Sequence, residues 1–263
     1  MNYYYYPGCT LKTKAKALDA SARAAAECLG VTLTEVPEWQ CCGAVYPMAQ
    51  DEVAARLSAV RALLAAREAG VPLVTLCSAC HHVIKRVNAD MAKNPDLRQK
   101  AANYLGLSTP YAGETEVLHY LEVLKNDVGF ETIKQQVKHP LTGQKIGAYY
   151  GCLLLRPADV MQFDDPESPT MLEDLLRALG AAPVDYDQKN ECCAGYLSLT
   201  DPAAASRRTR AILTSAREAG AEALVTACPL CQYNLSRHSD GSLPVYYVTE
   251  LLEAALKGGN GHA

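Results

Sequence analysis

The chain has 263 residues, 49% of them hydrophobic and 21% charged, with a net charge of −4. That length accommodates one large domain or two of about 130 residues. The acidic balance gives no footprint for nucleic acid, and no apolar run approaches the roughly 18 residues of a transmembrane helix. The N-terminal stretch through Pro7 lacks a basic segment followed by an apolar one, so no export signal is read and a cytoplasmic protein is expected. Eleven cysteines are many for such a protein. Disulfide scaffolds are small, loop-rich and secreted, so this cysteine density points to metal or redox chemistry.

In chain order, residues 3–6 read as a short strand. Residues 13–29 read as a helix with Leu18, Ala22, Ala25 and Leu29 on one face, and residues 32–36 as a second strand. The clearest helix is 51–69, where Val53, Leu57, Val60 and Leu64 form one stripe and Gly70 supplies the expected stop. Residues 72–76 follow as a buried strand. The region from Asn94 to Tyr111 reads as a surface-loop insertion, and residues 138–143 as a turn-rich boundary. The order then recurs: strand 146–150, helix 171–179, strand 183–186, helix 201–219 and strand 223–227. Asp201-Pro202 supplies an N-cap and a first-turn proline. Strand–helix alternation predicts an α/β protein with a parallel sheet in each half.

The chain repeats itself, and this organises everything else. Tyr5-Tyr6-Pro7-Gly8-Cys9 is answered by Tyr149-Tyr150-Gly151-Cys152, and Cys41-Cys42-Gly43-Ala44 by Cys192-Cys193-Ala194-Gly195. Leu73 to Cys80 recurs as Leu224 to Cys231, and Val117 to Glu122 resembles Val245 to Glu250. The interval from Cys41 to Cys192 equals that from Cys77 to Cys228, whereas Cys9 to Cys152 is eight shorter. The second half has therefore gained eight residues before its cysteine pair, around Phe163 to Pro166. The predicted architecture is two homologous Rossmann-like parallel-sheet halves, 1–138 and 139–263, related by pseudo-two-fold symmetry.

Each half carries one single cysteine, one adjacent pair and one CxxC. Cys9 and Cys152 follow a strand, and so do Cys77-x-x-Cys80 and Cys228-x-x-Cys231. In open α/β sheets, ligands gather beyond the carboxyl ends of strands, so these segments converge on one rim. A helix N-terminus also favours the thiolate that binds metal. Gly8 and Gly151 let the chain turn just before the first ligand. Zinc and cubane iron–sulfur clusters each need four thiolates. The fifth thiol means either an unusual cluster or a thiol kept free. Two structural zinc sites are the competing reading. Cys28 has no counterpart and reads as a core residue.

The arrangement Cys9, Cys41-Cys42, Cys77-x-x-Cys80, repeated as Cys152, Cys192-Cys193, Cys228-x-x-Cys231, resembles the tandem CCG-domain pattern. Over nearly its full length the chain resembles the B-type subunits of heterodisulfide reductase. The resemblance implies two noncubane 4Fe–4S clusters, ligated by those ten cysteines, that reduce a disulfide of the coenzyme M–coenzyme B type to two thiols. It also implies two partners, one a ferredoxin-like iron–sulfur protein and the other a flavoprotein. The second pair departs from the pattern: Ala194 precedes Gly195, leaving the second cluster's type open, zinc included. No ferredoxin run and no G-x-G-x-x-G fingerprint occurs, so electrons are expected from another protein. A CCG electron-transfer subunit of a dehydrogenase complex, cleaving no disulfide, is the alternative. For an anionic substrate, Lys12, Lys14, Lys16, Arg156, His81, His82, Lys85, Arg86 and Arg237 are the nearby cations or proton donors in sequence, with surface exposure or capping expected for both histidines.

Overall fold

Alternating burial along the tyrosine run after Asn2 makes β1 (Asn2–Tyr6), whose Tyr5 and Tyr6 are fully buried. The computed structural model describes residues 1–44 and 50–258; the last five residues of the expected second half, 259–263, lie outside them. The remaining strands are β2 (Thr32–Glu35), β3 (Leu73–Thr75), β4 (Val117–His119), β5 (Lys145–Tyr149), β6 (Ala182–Val184), β7 (Ala223–Thr226) and β8 (Val245–Tyr247). They form two four-stranded sheets of the same order, β2-β1-β3-β4 and β6-β5-β7-β8. Every pairing is parallel, with Tyr5 beside Val74 and Ala148 beside Val225. The protein is thus an α/β molecule of two repeated halves.

Helices connect the parallel strands, as such strands require. Lys16–Cys28 joins β1 to β2 and Ala54–Ala69 joins β2 to β3; Met171–Ala178 and Pro202–Glu218 do the same in the second half. Gly70 closes its helix in the left-handed conformation. Asp201 caps Pro202–Glu218 by accepting from the Ala204 amide at 2.9 Å. The insertion expected as a loop at 94–111 instead contains the helix Pro95–Leu105. Asn94 caps it, Pro95 fits its first turn, and Leu97, Ala101 and Ala102 give it a face to bury.

Of three hydrophobic clusters among the described residues, the largest is shared by both halves. Lys16–Cys28 packs against the last helix, Val248–Lys257, bringing Leu18, Ala22 and Ala25 into one cluster with Leu251, Leu252 and Ala255. Ser21 Oγ and Thr249 Oγ1 meet across this contact at 2.6 Å. Among the described residues, no helix is long and apolar enough to cross a membrane.

Candidate metal centres

In each sheet the chain leaves the first strand, crosses outward, and returns on its other side. A crevice opens there beyond the strand ends. Cys9 emerges at the end of β1 and Cys77 just past β3; Cys152 and Cys228 repeat this past β5 and β7. Cys77 and Cys228 are N-caps of Ser78–Lys93 and Pro229–His238, so the second cysteine of each CxxC lies in a first helical turn.

The ten cysteines come together as two sets. In the first, Cys41 Sγ lies 3.5 Å from Cys9 Sγ, Cys42 Sγ lies 3.5 Å from Cys80 Sγ, and Cys80 touches Cys77. In the second, Cys193 Sγ lies 3.4 Å from Cys231 Sγ, Cys192 touches Cys152, and Cys231 touches Cys228. The thiols of Cys77 and Cys228 also meet, so the two sets abut. All these cysteines are free, and 3.4–3.5 Å is far beyond a disulfide bond of about 2.05 Å. Cys42, Cys77, Cys80, Cys193 and Cys228 are buried, whereas Cys9 and Cys41 are exposed.

Four carbonyl anchors hold these loops. The Tyr6 hydroxyl donates to the Gln40 carbonyl, just before the first pair. The Tyr149 hydroxyl donates to the Glu191 carbonyl, just before the second, at 2.6 Å. The other two anchors cross between halves: Tyr247 donates to the Leu76 carbonyl, and Ser78 Oγ to the Ala227 carbonyl at 3.0 Å. These carbonyls immediately precede Cys77 and Cys228. Gly8, at φ +69°, passes so close to the first set that an added Cβ would lie 2.7 Å from Cys80 Sγ. Gly151, at φ +66°, would place one 3.4 Å from Cys231 Sγ.

Contact between thiols splits their acidities. The Cys80 thiol beside it brings Cys42 down to about 7, against the opposing effect of burial. Cys152 brings Cys192 down to about 6 in the same way. The neighbouring thiols Cys42 and Cys77, together with burial, push Cys80 up, and Cys228, with burial, pushes Cys77 up. Adjacent buried thiols cannot all ionise without a compensating positive charge, which a metal centre supplies. The donors are all sulfur, five to a set. Among the described residues, no three or more His, Cys, Asp or Glu side chains surround a single-ion position. Sulfur donors in this number suit iron–sulfur clusters, whose thiolates sit on separate irons.

The expected cations are mostly engaged elsewhere. Lys12 pairs with Glu35 at 2.8 Å, Lys85 with Glu122 at 3.6 Å, and Arg156 with Glu167 at 3.1 Å. Lys14, Lys16 and Arg237 are exposed and Arg86 is half-buried. His81 and His82 are not surface or capping groups: they are 0% and 6% exposed, and His81 packs edge-on against His119 with Glu122 3.6 Å from its Nε2. Burial holds His82 down at about 4 and His81 well below its ordinary range. Cys28 is half-buried against the shared core, away from both sets. Sequence reading passed over Tyr6, Tyr149, Tyr247 and Ser78. The duplicated Tyr-Tyr before each first cysteine was the available signal for two of them.

A duplicated parallel α/β scaffold, each copy ending its strands in five clustered thiols, defines a cysteine-rich redox protein. The family model described as the CCG cysteine-rich domain matches twice, at residues 3–85 and 146–236, and the chain belongs to that family. It is 30% identical to the 8-methylmenaquinol:fumarate reductase membrane anchor subunit of Wolinella succinogenes, over 97% of this chain and 92% of that one. It is 28% identical to a protein of Archaeoglobus profundus described as like the B-type subunit of heterodisulfide reductase, over 97% and 91% of the two chains. It is 25% identical to the B-type subunit of the ferredoxin:CoB-CoM heterodisulfide reductase of Methanosarcina mazei, over 95% and 87%. A solved structure of a hypothetical protein from Helicobacter pylori shares the fold at TM-score 0.74 and 12% identity. It matches 98% of this chain, which spans about half (49%) of that one.

Proposed function

We propose that the chain is the iron–sulfur subunit of a heterodisulfide reductase-like complex, an oxidoreductase that reduces a disulfide to two thiols. Cys9, Cys41, Cys42, Cys77 and Cys80 would hold one noncubane 4Fe–4S cluster, and Cys152, Cys192, Cys193, Cys228 and Cys231 the other. The observation that carries this reading is the contact between Cys77 and Cys228, which sets the two thiol clusters back to back. Reducing RSSR′ to RSH and R′SH takes two electrons and two protons. Two adjacent one-electron centres match that count, each supplying one electron when bound. The electrons come from partner proteins, a ferredoxin-like iron–sulfur protein fed by a flavoprotein. The protein's own groups hold the site. Tyr247 and Ser78 fix the two CxxC loops from across the molecule, and burial of Cys77, Cys80 and Cys228 keeps water from the contact.

Anaerobic purification, metal analysis and a reduced-viologen assay with disulfides test the proposal. About eight irons per chain and disulfide-dependent oxidation of viologen are expected; a colourless zinc protein would refute it. The similarity to the fumarate reductase subunit favours a second reading, in which the chain relays electrons within a dehydrogenase complex and cleaves no disulfide. An iron-loaded protein that passes electrons to a quinone analogue while leaving every disulfide intact would establish that reading.

A further inference from the structure

The duplication breaks its symmetry at the two mouths that lead toward the thiols. In the second half, the longer segment after Cys152 folds into the short helix Ala158–Met161, which packs on Ser78–Lys93. Met161 is buried there, and Phe163 packs edge-on against His119 at 5.8 Å. Ser78, Ala79, His81 and His82, in the first turns of that helix, are buried. The equivalent helix, Pro229–His238, meets the short helix Gly8–Lys12 of the first half, yet its Tyr233 is 53% exposed.

On that side is a cavity of about 630 Å³ between the halves, lined by Thr10, Lys14, Ala15 and Leu18 from one and by Leu230 and Tyr233 from the other. That volume lies within the range of small-molecule sites, roughly 300–1,000 Å³. Two of its lining residues adjoin the thiol sets. Thr10 Oγ1 is 3.9 Å from Cys9 Sγ, and Leu230 also lines the cavity that holds Cys228 and Cys231. Its walls are largely aliphatic. Lys14 is exposed and, among the described residues, forms no ion pair, whereas neighbouring Lys12 is tied to Glu35.

We propose that this cavity is an entrance for substrate, that it takes a molecule with an aliphatic body and one acid group, and that Lys14 selects for the acid. On the other side the helix Ala158–Met161 lies against Ser78–Lys93, so the two approaches differ. The identity of the reacting bond rests on the disulfide reading above; the binding of an acid-tailed aliphatic molecule does not.

Calorimetry on the anaerobic, iron-loaded protein separates the two. The probes are octanoate, its methyl ester, and 4,4′-dithiodibutyrate. Octanoate is expected to bind. Lys14→Glu should weaken it about tenfold, the loss of a charge-assisted contact, Lys14→Arg should retain it, and the ester should ignore both changes. Ala17→Phe, which fills the cavity from its rim, should weaken acid and ester alike at unchanged iron content. Octanoate that fails to bind the unsubstituted protein, or binds Lys14→Glu and Ala17→Phe equally well, overturns the proposal. Octanoate binding that responds to both substitutions, with dithiodibutyrate left unreduced, upholds the cavity and removes the disulfide reading.

Discussion

At Gly8 a single hydrogen atom separates a working turn from a collision. The residue has positive φ, and a methyl group would press on Cys80 Sγ. Gly8→Ala is therefore expected to cost about half the bound iron, while Gly151→Ala, with more room beside Cys231, should retain most of it and lose only about 1–2 kcal/mol of stability to the left-handed backbone. Iron per chain and urea unfolding distinguish the two. Cys28→Ser should leave the iron unchanged. The ten clustered cysteines were legible in the sequence because their spacing repeats. Their tyrosine anchors were not, since each hydroxyl bonds a backbone carbonyl, a partner that any residue provides. His81 and His82 were misread for a related reason: burial is tertiary, and His119 and Glu122, which lie against His81, are distant in sequence.

His119 carries a pH prediction at the same scale. It is fully buried, and burial lowers it to about 4. Its Nδ1 accepts from the Leu121 amide, and its Nε2 has no hydrogen-bond partner among the described residues. An unfolded histidine titrates near 6.5. As pH falls, the unfolded chain takes up this proton first, so stability is full above about 6.5 and declines down to about 4. The expected slope is about 1.4 kcal/mol per pH unit from this residue. Denaturation at pH 7.5 and 5.5 should show His119→Gln losing less stability than the unsubstituted protein over that interval; equal losses would sink the assignment.

At the level of elements, β4 and β8 perform equivalent tasks with different side chains. His119 and Tyr247 end them, and each backbone amide donates to the glutamate three residues on, Glu122 and Glu250, at 2.7 Å. Tyr247 then bonds the Leu76 carbonyl of the other half, while His119 faces both the Ala227 and the Leu76 carbonyls, which Ser78 and Tyr247 already satisfy. Tyr247→Phe should cost about 1–3 kcal/mol, because it removes the hydroxyl that bonds a buried carbonyl. It should also loosen the loop before Cys77 rather than any loop of its own half. Hydrogen exchange at residues 76–80 against 227–231 reads the difference, and equal change in both segments would contradict it. The repeat Val117–Glu122 and Val245–Glu250 was visible in sequence, and so were most strands and helices. Periodicity shows that a strand ends but not which carbonyl lies opposite its last side chain. It likewise left Pro95–Leu105 as loop, because a helix begun by Asn-Pro inside an insertion carries little apolar signal of its own.

For the whole molecule, the repeat suggests two separable units, with the boundary proposed at 138/139, whereas the packing argues against independence. The buried face of Lys16–Cys28 is completed by Val248–Lys257, and Ser21 bonds Thr249 there. Cut at 138, the first fragment would expose Leu18, Ala22 and Ala25 and lose the Tyr247 anchor before Cys77. Burying a leucine-sized side chain is worth about 1.5–3 kcal/mol, and a domain's net stability is only about 5–15 kcal/mol, so the loss of one whole helical face is decisive. Residues 1–138 expressed alone should aggregate, and co-expression with 139–263 should restore a soluble complex that binds iron at both sets. A monomeric, cooperatively unfolding fragment 1–138 would show that each copy stands alone. The contact of Cys77 with Cys228 would then be an association of finished domains rather than a consequence of one shared core.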